Sequence, residues 1–180
     1  MKKVIICGDC GSRAVTRAVI RACSESGGAF VCDGAKIYET CPDPKFLIIT
    51  ACTLTDISCN DGIIVFGKAL CQIRPDIKIG TMIPVVDTSN IDALTLLKGS
   101  NACVVGCSMS GHDTISVSGI KDFPSKLISL QRNVRTIDGE TIEPHEFTVR
   151  LSREIPVYPL LASCSVLLLS GEPSGNGYQI

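Results

Sequence analysis

The apolar residues of this chain come in short blocks, and the spacing within the blocks changes along the sequence. Residues 4–7 (VIIC) are an unbroken apolar run, the pattern of a strand covered on both faces of a parallel sheet. Over residues 12–25 the period turns helical. Val15, Ala18, Val19, Ala22 and Cys23 make one stripe, and Gly27-Gly28 ends it. Further strands are predicted at residues 29–32, 45–50, 62–66, 83–87 and 102–106. A helix capped by Ser89 or Asn90 runs to Lys98, with Gly99 as its stop. Strand–helix alternation of this kind predicts an α/β fold with a mainly parallel sheet in three layers.

The pattern changes in the second half. Residues 114–118 alternate polar and apolar, and residues 127–132, 134–137 and 147–151 read as short strands. Asp138-Gly139 is a hairpin signal. An antiparallel edge in the C-terminal half is therefore predicted. Residues 157–170 form a last helix, with Pro156 and Pro159 at its start and a wide apolar face of Leu160, Leu161, Cys164, Leu167 and Leu168. We expect one domain over residues 1–172 and a loose tail over residues 173–180.

Composition narrows the function classes. The chain has 180 residues, enough for one domain with a real core. A net charge of −1 gives no electrostatic case for nucleic acid or for an anionic membrane surface. Aromatic residues are only 4%, too few for base-stacking platforms. The N-terminal apolar run stops at Gly8-Asp9, too early for a signal core or a membrane span. A soluble, cytoplasmic protein is the expectation. The chain is cysteine-rich, with 11 cysteines in no regular framework. Reduced, mostly buried thiols are expected, each a small apolar residue. Cys7-x2-Cys10 with Cys103-x3-Cys107 has zinc-like spacing. However, Cys7 and Cys103 fall inside predicted strands, so no metal is expected.

The segment VIICGDCGSRAVTRAVIR has a strand, a glycine-containing turn and a helix in direct succession. That is the layout of a phosphate-binding P-loop, in which backbone N–H groups cradle phosphates, a lysine supplies charge and a hydroxyl binds Mg²⁺. Here Gly11 is followed by Ser12 and Arg13, so both chemical groups are replaced.

The order of motifs resembles the central, ATP-binding domain of the Mur ligases and their folylpolyglutamate and cyanophycin synthetase relatives. Gly8-Asp9-Cys10-Gly11-Ser12-Arg13-Ala14, then Thr16-Arg17, is similar to that family's Gly-Thr-x-Gly-Lys-Thr-Thr loop and the Thr-Arg beyond it. CDGAKIYE resembles its Asp-Gly-x-x-Ile stretch. IPVVDTSNIDALTLL followed by NACVVGCSMSGHDTISVSGI resembles its next strand and loop series, and IPVYPLLASCSVLLLSG its closing helix. The resemblance implies a P-loop/Mur-ligase central-domain fold. It also exposes departures. The loop lysine and hydroxyl are absent. The metal-organising segment corresponds to Thr50-Ala51-Cys52-Thr53-Leu54-Thr55-Asp56, without its Asn and His. The stretch carrying the metal-binding Glu and carbamylated Lys is missing, Ile155-Pro156 stands where a His-Asn pair would be, and the expectation is a domain without its flanking ligase domains. The expectation is a non-catalytic binding or interaction protein linked to cell-wall precursor metabolism. The alternative is an ATP- or phosphate-binding ligase domain completed by a partner chain, and a third reading is a thiol-based redox or metal protein. No resident cofactor is expected, ATP with Mg²⁺ being what the resemblance leaves open. The expected partner is another protein chain or a second copy of this one, not nucleic acid or a membrane.

The candidate anion- or nucleotide-binding loop is Gly8, Asp9, Gly11, Ser12 and Arg13, since a helix N-terminus offers free N–H groups even without lysine. Arg13, Arg17 and Arg21 form one ridge, read either as a phosphate clamp or, preferably, as a solvated face. Asp87, His112 and Asp113 are candidate rim residues at strand ends, where α/β folds bind ligands. His112-Asp113 reads either as a base with its orienter or, preferably, as a polar turn. Asp9, Asp33, Asp56 and Asp87 could meet around Mg²⁺ or serve as turn and cap residues. His145 reads as a surface residue. Cys10 is the best cysteine for reactivity, being next to a helix N-terminus. No catalytic residue is assigned.

Overall fold

The computed structural model describes residues 1–54, 56–70, 78–118 and 123–180; Thr55 and Cys71 lie outside them. In chain order the elements begin β1 (Lys2–Cys7), α1 (Ala14–Glu25), β2 (Ala29–Cys32), β3 (Ile37–Glu39), β4 (Phe46–Ala51), β5 (Ile63–Phe66), β6 (Ile83–Asp87), α2 (Ile91–Leu97) and β7 (Val105–Ser108). They continue with β8 (Ile115–Val117), β9 (Ser125–Leu130), β10 (Val134–Arg135), β11 (Thr141–Ile142), β12 (His145–Arg150), α3 (Val157–Leu169) and β13 (Tyr178–Gln179).

Among the described residues eleven strands form one mixed sheet, in the order β13-β12-β9-β8-β7-β6-β5-β1-β4-β2-β3. The seven strands from β8 to β2 run parallel. Antiparallel pairing appears at β8–β9 and β9–β12, the expected C-terminal edge, and also at β2–β3 on the other edge. β1 is central, in register with β4 (Cys7 opposite Ala51) and with β5 (Cys7 opposite Phe66). The chain leaves β1 for β2 on one side and later passes from β4 to β5 on the other. Ligands of open α/β sheets bind at such a reversal, beyond the carboxyl ends of the strands.

Alternation along β1 feeds two cores. Val4 and Ile6 join α1 and α3 on one face, while Ile5 and Cys7 join Met82, Val86, Ala93 and Leu97 beside α2 on the other. Burying both faces requires the unbroken apolar run that β1 shows. α1 is amphipathic: Val15, Ala18, Val19, Ala22 and Cys23 are buried, and Arg17 is exposed. α3 is not. Twelve of its 13 residues are buried, as in a helix enclosed on all sides.

Two expectations are corrected. The tail is not loose: β13 pairs with β12, Ile180 is 1% exposed, and the Tyr178 hydroxyl donates to the Glu172 carbonyl at 2.8 Å. The strand expected at residues 102–106 begins at Val105 instead, its apolar start being shared with the loop before it. Among the described residues no helix is long and apolar enough to cross a membrane.

Candidate functional site

At the carboxyl edge the loops after β1 and β5 meet backbone to backbone. Gly67 N–H donates to the Cys7 carbonyl at 2.6 Å, and Ala69 N–H to the Gly8 carbonyl at 2.8 Å. A Cβ on Gly67 would lie 2.5 Å from the Gly8 oxygen, so only glycine permits this approach. Gly8 itself has φ +74. Asn90 ties in the next loop: its Nδ2 donates to the Gly67 carbonyl at 2.8 Å, while its Oδ1 caps α2 through Ala93 N–H at 3.1 Å.

Above this floor lies a cleft of about 510 Å³. Its walls are the loop Gly8–Ser12, the first turn of α1, Lys68-Ala69, Asp87 and the first turn of α3 around Tyr158. Two helices therefore begin at the cleft. The Tyr158 hydroxyl donates to the Phe66 carbonyl at 2.5 Å and reaches the Val85 carbonyl at 3.3 Å, fixing α3 to the end of β5 and the middle of β6. Burial pushes its pKa well above the usual tyrosine range, so it remains a donor. A larger cavity, about 560 Å³, lies by the β10–β11 hairpin at the amino ends of β5, β6 and β7, the opposite edge to the one where α/β ligands bind.

The candidate anion loop is turned inward on its own charges. Asp9 Oδ2 accepts the N–H of Thr16, the third residue of α1, at 2.7 Å. A carboxylate from the chain thus occupies the position that a bound anion would take at the helix N-terminus. Arg13 is not part of a helical ridge. It is the N-cap residue, in the left-handed region at φ 52, and its guanidinium donates to Asp33 Oδ2 at 2.9 Å. That hydrogen bond, helped by the Lys36 and Ala35 N–H groups, holds the Asp33 carboxyl below its usual range. Ser12 Oγ accepts from Ala14 N–H at 3.3 Å, and Gly11 faces open space.

The other candidates are held in turns and loop ties. Asp87 reaches the cleft wall, where it accepts from the Ser89 N–H at 3.0 Å and hydroxyl at 2.6 Å in an Asx turn. Asp113 accepts from Thr88 at 3.0 Å and from Ser108, joining the loops after β6 and β7. That carboxylate does not orient the exposed His112 ring; the His112 carbonyl instead accepts from Arg132 at 2.8 Å. Asp56 accepts from Ser58 at 3.1 Å. His145 bridges the Glu143 carbonyl at 2.8 Å and Ser174 at 2.6 Å. Among the described residues no three His, Cys, Asp or Glu side chains converge as metal ligands.

Two expectations about the cysteines are corrected, that all are reduced and that most are buried: of the ten described, only Cys7, Cys23, Cys107 and Cys164 are buried. Cys10 and Cys52 are joined in a disulfide, with Cα atoms 5.6 Å apart. The β1–β4 register brings the two strand ends side by side, within disulfide reach. Cys7, Cys23, Cys107 and Cys164 are free and buried. Burial pushes the thiols of Cys7 and Cys107 up to about 12 and those of Cys23 and Cys164 higher still. Cys7 and Cys107 belong to cores on opposite faces of the sheet, and Cys103 is exposed, so these do not share a metal site.

Sequence reasoning missed Lys68 and Tyr158, and for Asn90 it gave the cap of α2 but not the tie to Gly67. Gly67-Lys68 directly after an apolar strand was a usable signal. Tyr158 was marked only by standing between two prolines at the start of an aliphatic helix. Compared with models of known families and with curated proteins, the chain matches none.

Proposed function

We propose that this chain is a non-catalytic binding module of the Mur-ligase central-domain type, using the carboxyl-edge cleft for a small ligand and the surrounding rim for a protein partner or a second copy. The observation that carries this reading is the Asp9–Thr16 contact at 2.7 Å: the chain's own carboxylate fills the helix N-terminus. Arg13, the cation nearest the missing loop lysine, is committed to Asp33. The described charges lining the cleft are two carboxylates, Asp9 and Asp87, against the single ammonium of Lys68. That balance opposes a polyphosphate and suits a neutral or amine-bearing ligand. The rim carries exposed apolar residues: Ile91 (74% exposed) after β6, Met109 (74%) after β7 and Phe123 (48%) before β9. The sequence resemblance suggests cell-wall precursor metabolism as the setting.

The alternative is an ATP-binding ligase domain completed by a partner chain. Lys68 on the cleft wall is the observation that favours it. Thermal melts in about 10 mM Mg-ATP separate the two. A site with Kd near 0.1 mM would stabilise the fold by roughly 2.7 kcal/mol, raising Tm by roughly 5–10 °C. No shift and no hydrolysis above a buffer blank are expected. A large Mg-dependent shift abolished by Lys68→Ala or Arg13→Ala would establish the alternative.

A further inference from the structure

The cleft wall is held unevenly. Gly8 is fixed by its N–H to the Ala51 carbonyl at 3.0 Å and by Ala69, Asp9 by Thr16, and Arg13 by Asp33. Among the described residues, the ties between Asp9 and Arg13 are the Cys10–Cys52 disulfide and the local Ser12–Ala14 contact. Cys10 and Cys52 are both exposed. Cys10 stands in the wall between the cleft and a smaller pocket of about 170 Å³ that Cys52, Arg13 and Asp33 also line. An exposed disulfide is open to attack by a thiolate, whereas the four buried thiols are kept protonated and out of reach.

We propose that Cys10–Cys52 is a thiol-exchange site whose substrates are dithiols, and that its reduction releases the cleft wall at Cys10–Ser12. A dithiol's thiolate bonds to one protein sulfur, the S–S bond breaks, and the other sulfur leaves as a thiolate. The dithiol's second thiolate then displaces the first protein sulfur. The dithiol departs as a disulfide, and Cys10 and Cys52 gain two electrons and two protons. The reduced loop keeps the Asp9 and Arg13 anchors, so the fold persists while the span between them loosens. The consequence for ligand binding rests on the cleft reading above; the exchange chemistry does not.

The test uses the full chain purified in air, equilibrated with graded ratios of reduced to oxidised dithiothreitol. Thiols are alkylated natively and mapped by peptide mass spectrometry, and amide exchange is followed in both states. Cys10 and Cys52 should become labelled together while Cys7, Cys23, Cys107 and Cys164 stay protected. Amide exchange at Cys10–Ser12 should quicken by about tenfold or more on reduction, with β1 unchanged. A Cys10→Ser/Cys52→Ser double variant should show the fast exchange without reductant. Labelling of Cys10 and Cys52 only together with the four buried thiols would make the disulfide purely structural and overturn the proposal. Unchanged exchange at Cys10–Ser12 would overturn the release of the wall. Neither readout uses a ligand, so failure here leaves the Mg-ATP result standing, and the reverse.

Discussion

Replacing Asp9 by alanine tests the self-capping of α1. Asp9 Oδ2 accepts from Thr16 N–H at 2.7 Å, and Thr16 is only 1% exposed. The N-cap residue, Arg13, makes no side-chain cap of its own. Losing a capping acceptor costs about 1–2 kcal/mol, and losing its charge at the positive end of the helix about 0.3–1 kcal/mol more. The sum is about 2 kcal/mol. At ~2.1 cal/mol/K of unfolding entropy per residue, the whole chain unfolds with about 0.38 kcal/mol/K, so Tm should fall by about 5 °C. Asp9→Asn keeps an acceptor and loses only the charge, so its Tm should fall by roughly 1–3 °C. Calorimetric melts at pH 7 and low salt measure both. Added sulfate should raise the Tm of Asp9→Ala more than that of the wild type, because the vacated N–H groups then donate to an outside anion. An Asp9→Ala variant melting within about 1 °C of the wild type would refute the cap, and equal losses for Ala and Asn would refute the hydrogen bond's share of it.

Tyr158→Phe removes the buried hydroxyl that joins α3 to the Phe66 and Val85 carbonyls; a loss of about 1–2 kcal/mol, or roughly 3–5 °C in Tm, is expected in the same melts. Gly67→Ala would set a methyl 2.5 Å from the Gly8 oxygen, so chemical shifts of Gly8 and Ala69 should move and Tm should drop, whereas Gly11→Ala, in open space, should leave both nearly unchanged. For pH, Asp33 titrates below its ordinary value near 3.8 because Arg13 holds it ionised. A carboxyl with a lowered folded pKa stabilises the fold above its unfolded value, and that stability is lost as pH falls through the folded value. The Tm difference between wild type and Arg13→Gln should therefore be flat from about pH 5 to 8 and shrink below about pH 4.

Much of the fold was legible because burial on both sheet faces leaves a strong trace. The run VIIC announced a central parallel strand, and the stripe from Val15 to Cys23 announced a helix on it. Asp138-Gly139 marked the β10–β11 turn. β3 escaped notice because its three residues are all exposed, so no apolar alternation marks it. The last strand was hidden by its setting: in GEPSGNGYQI only Tyr178 and Ile180 are buried and apolar, too few to show a period. The site was legible as a loop but not as a set of contacts. Asp9 capping Thr16, Arg13 meeting Asp33 and Cys10 bonding Cys52 join residues 7, 20 and 42 positions apart. The last two depend on β4 lying between β1 and β2, an order that no local pattern encodes.

We infer that Asp9, rather than an outside anion, occupies the N-terminus of α1. Backbone amide resonances of Gly11 to Thr16, followed while Mg-ATP is raised to about 10 mM, test it most directly, since phosphate contact at a helix N-terminus is made through those N–H groups. These resonances should stay in place, with Thr16 still bonded to Asp9. Saturable movement of these amides with Mg-ATP, Thr16 among them, would contradict it.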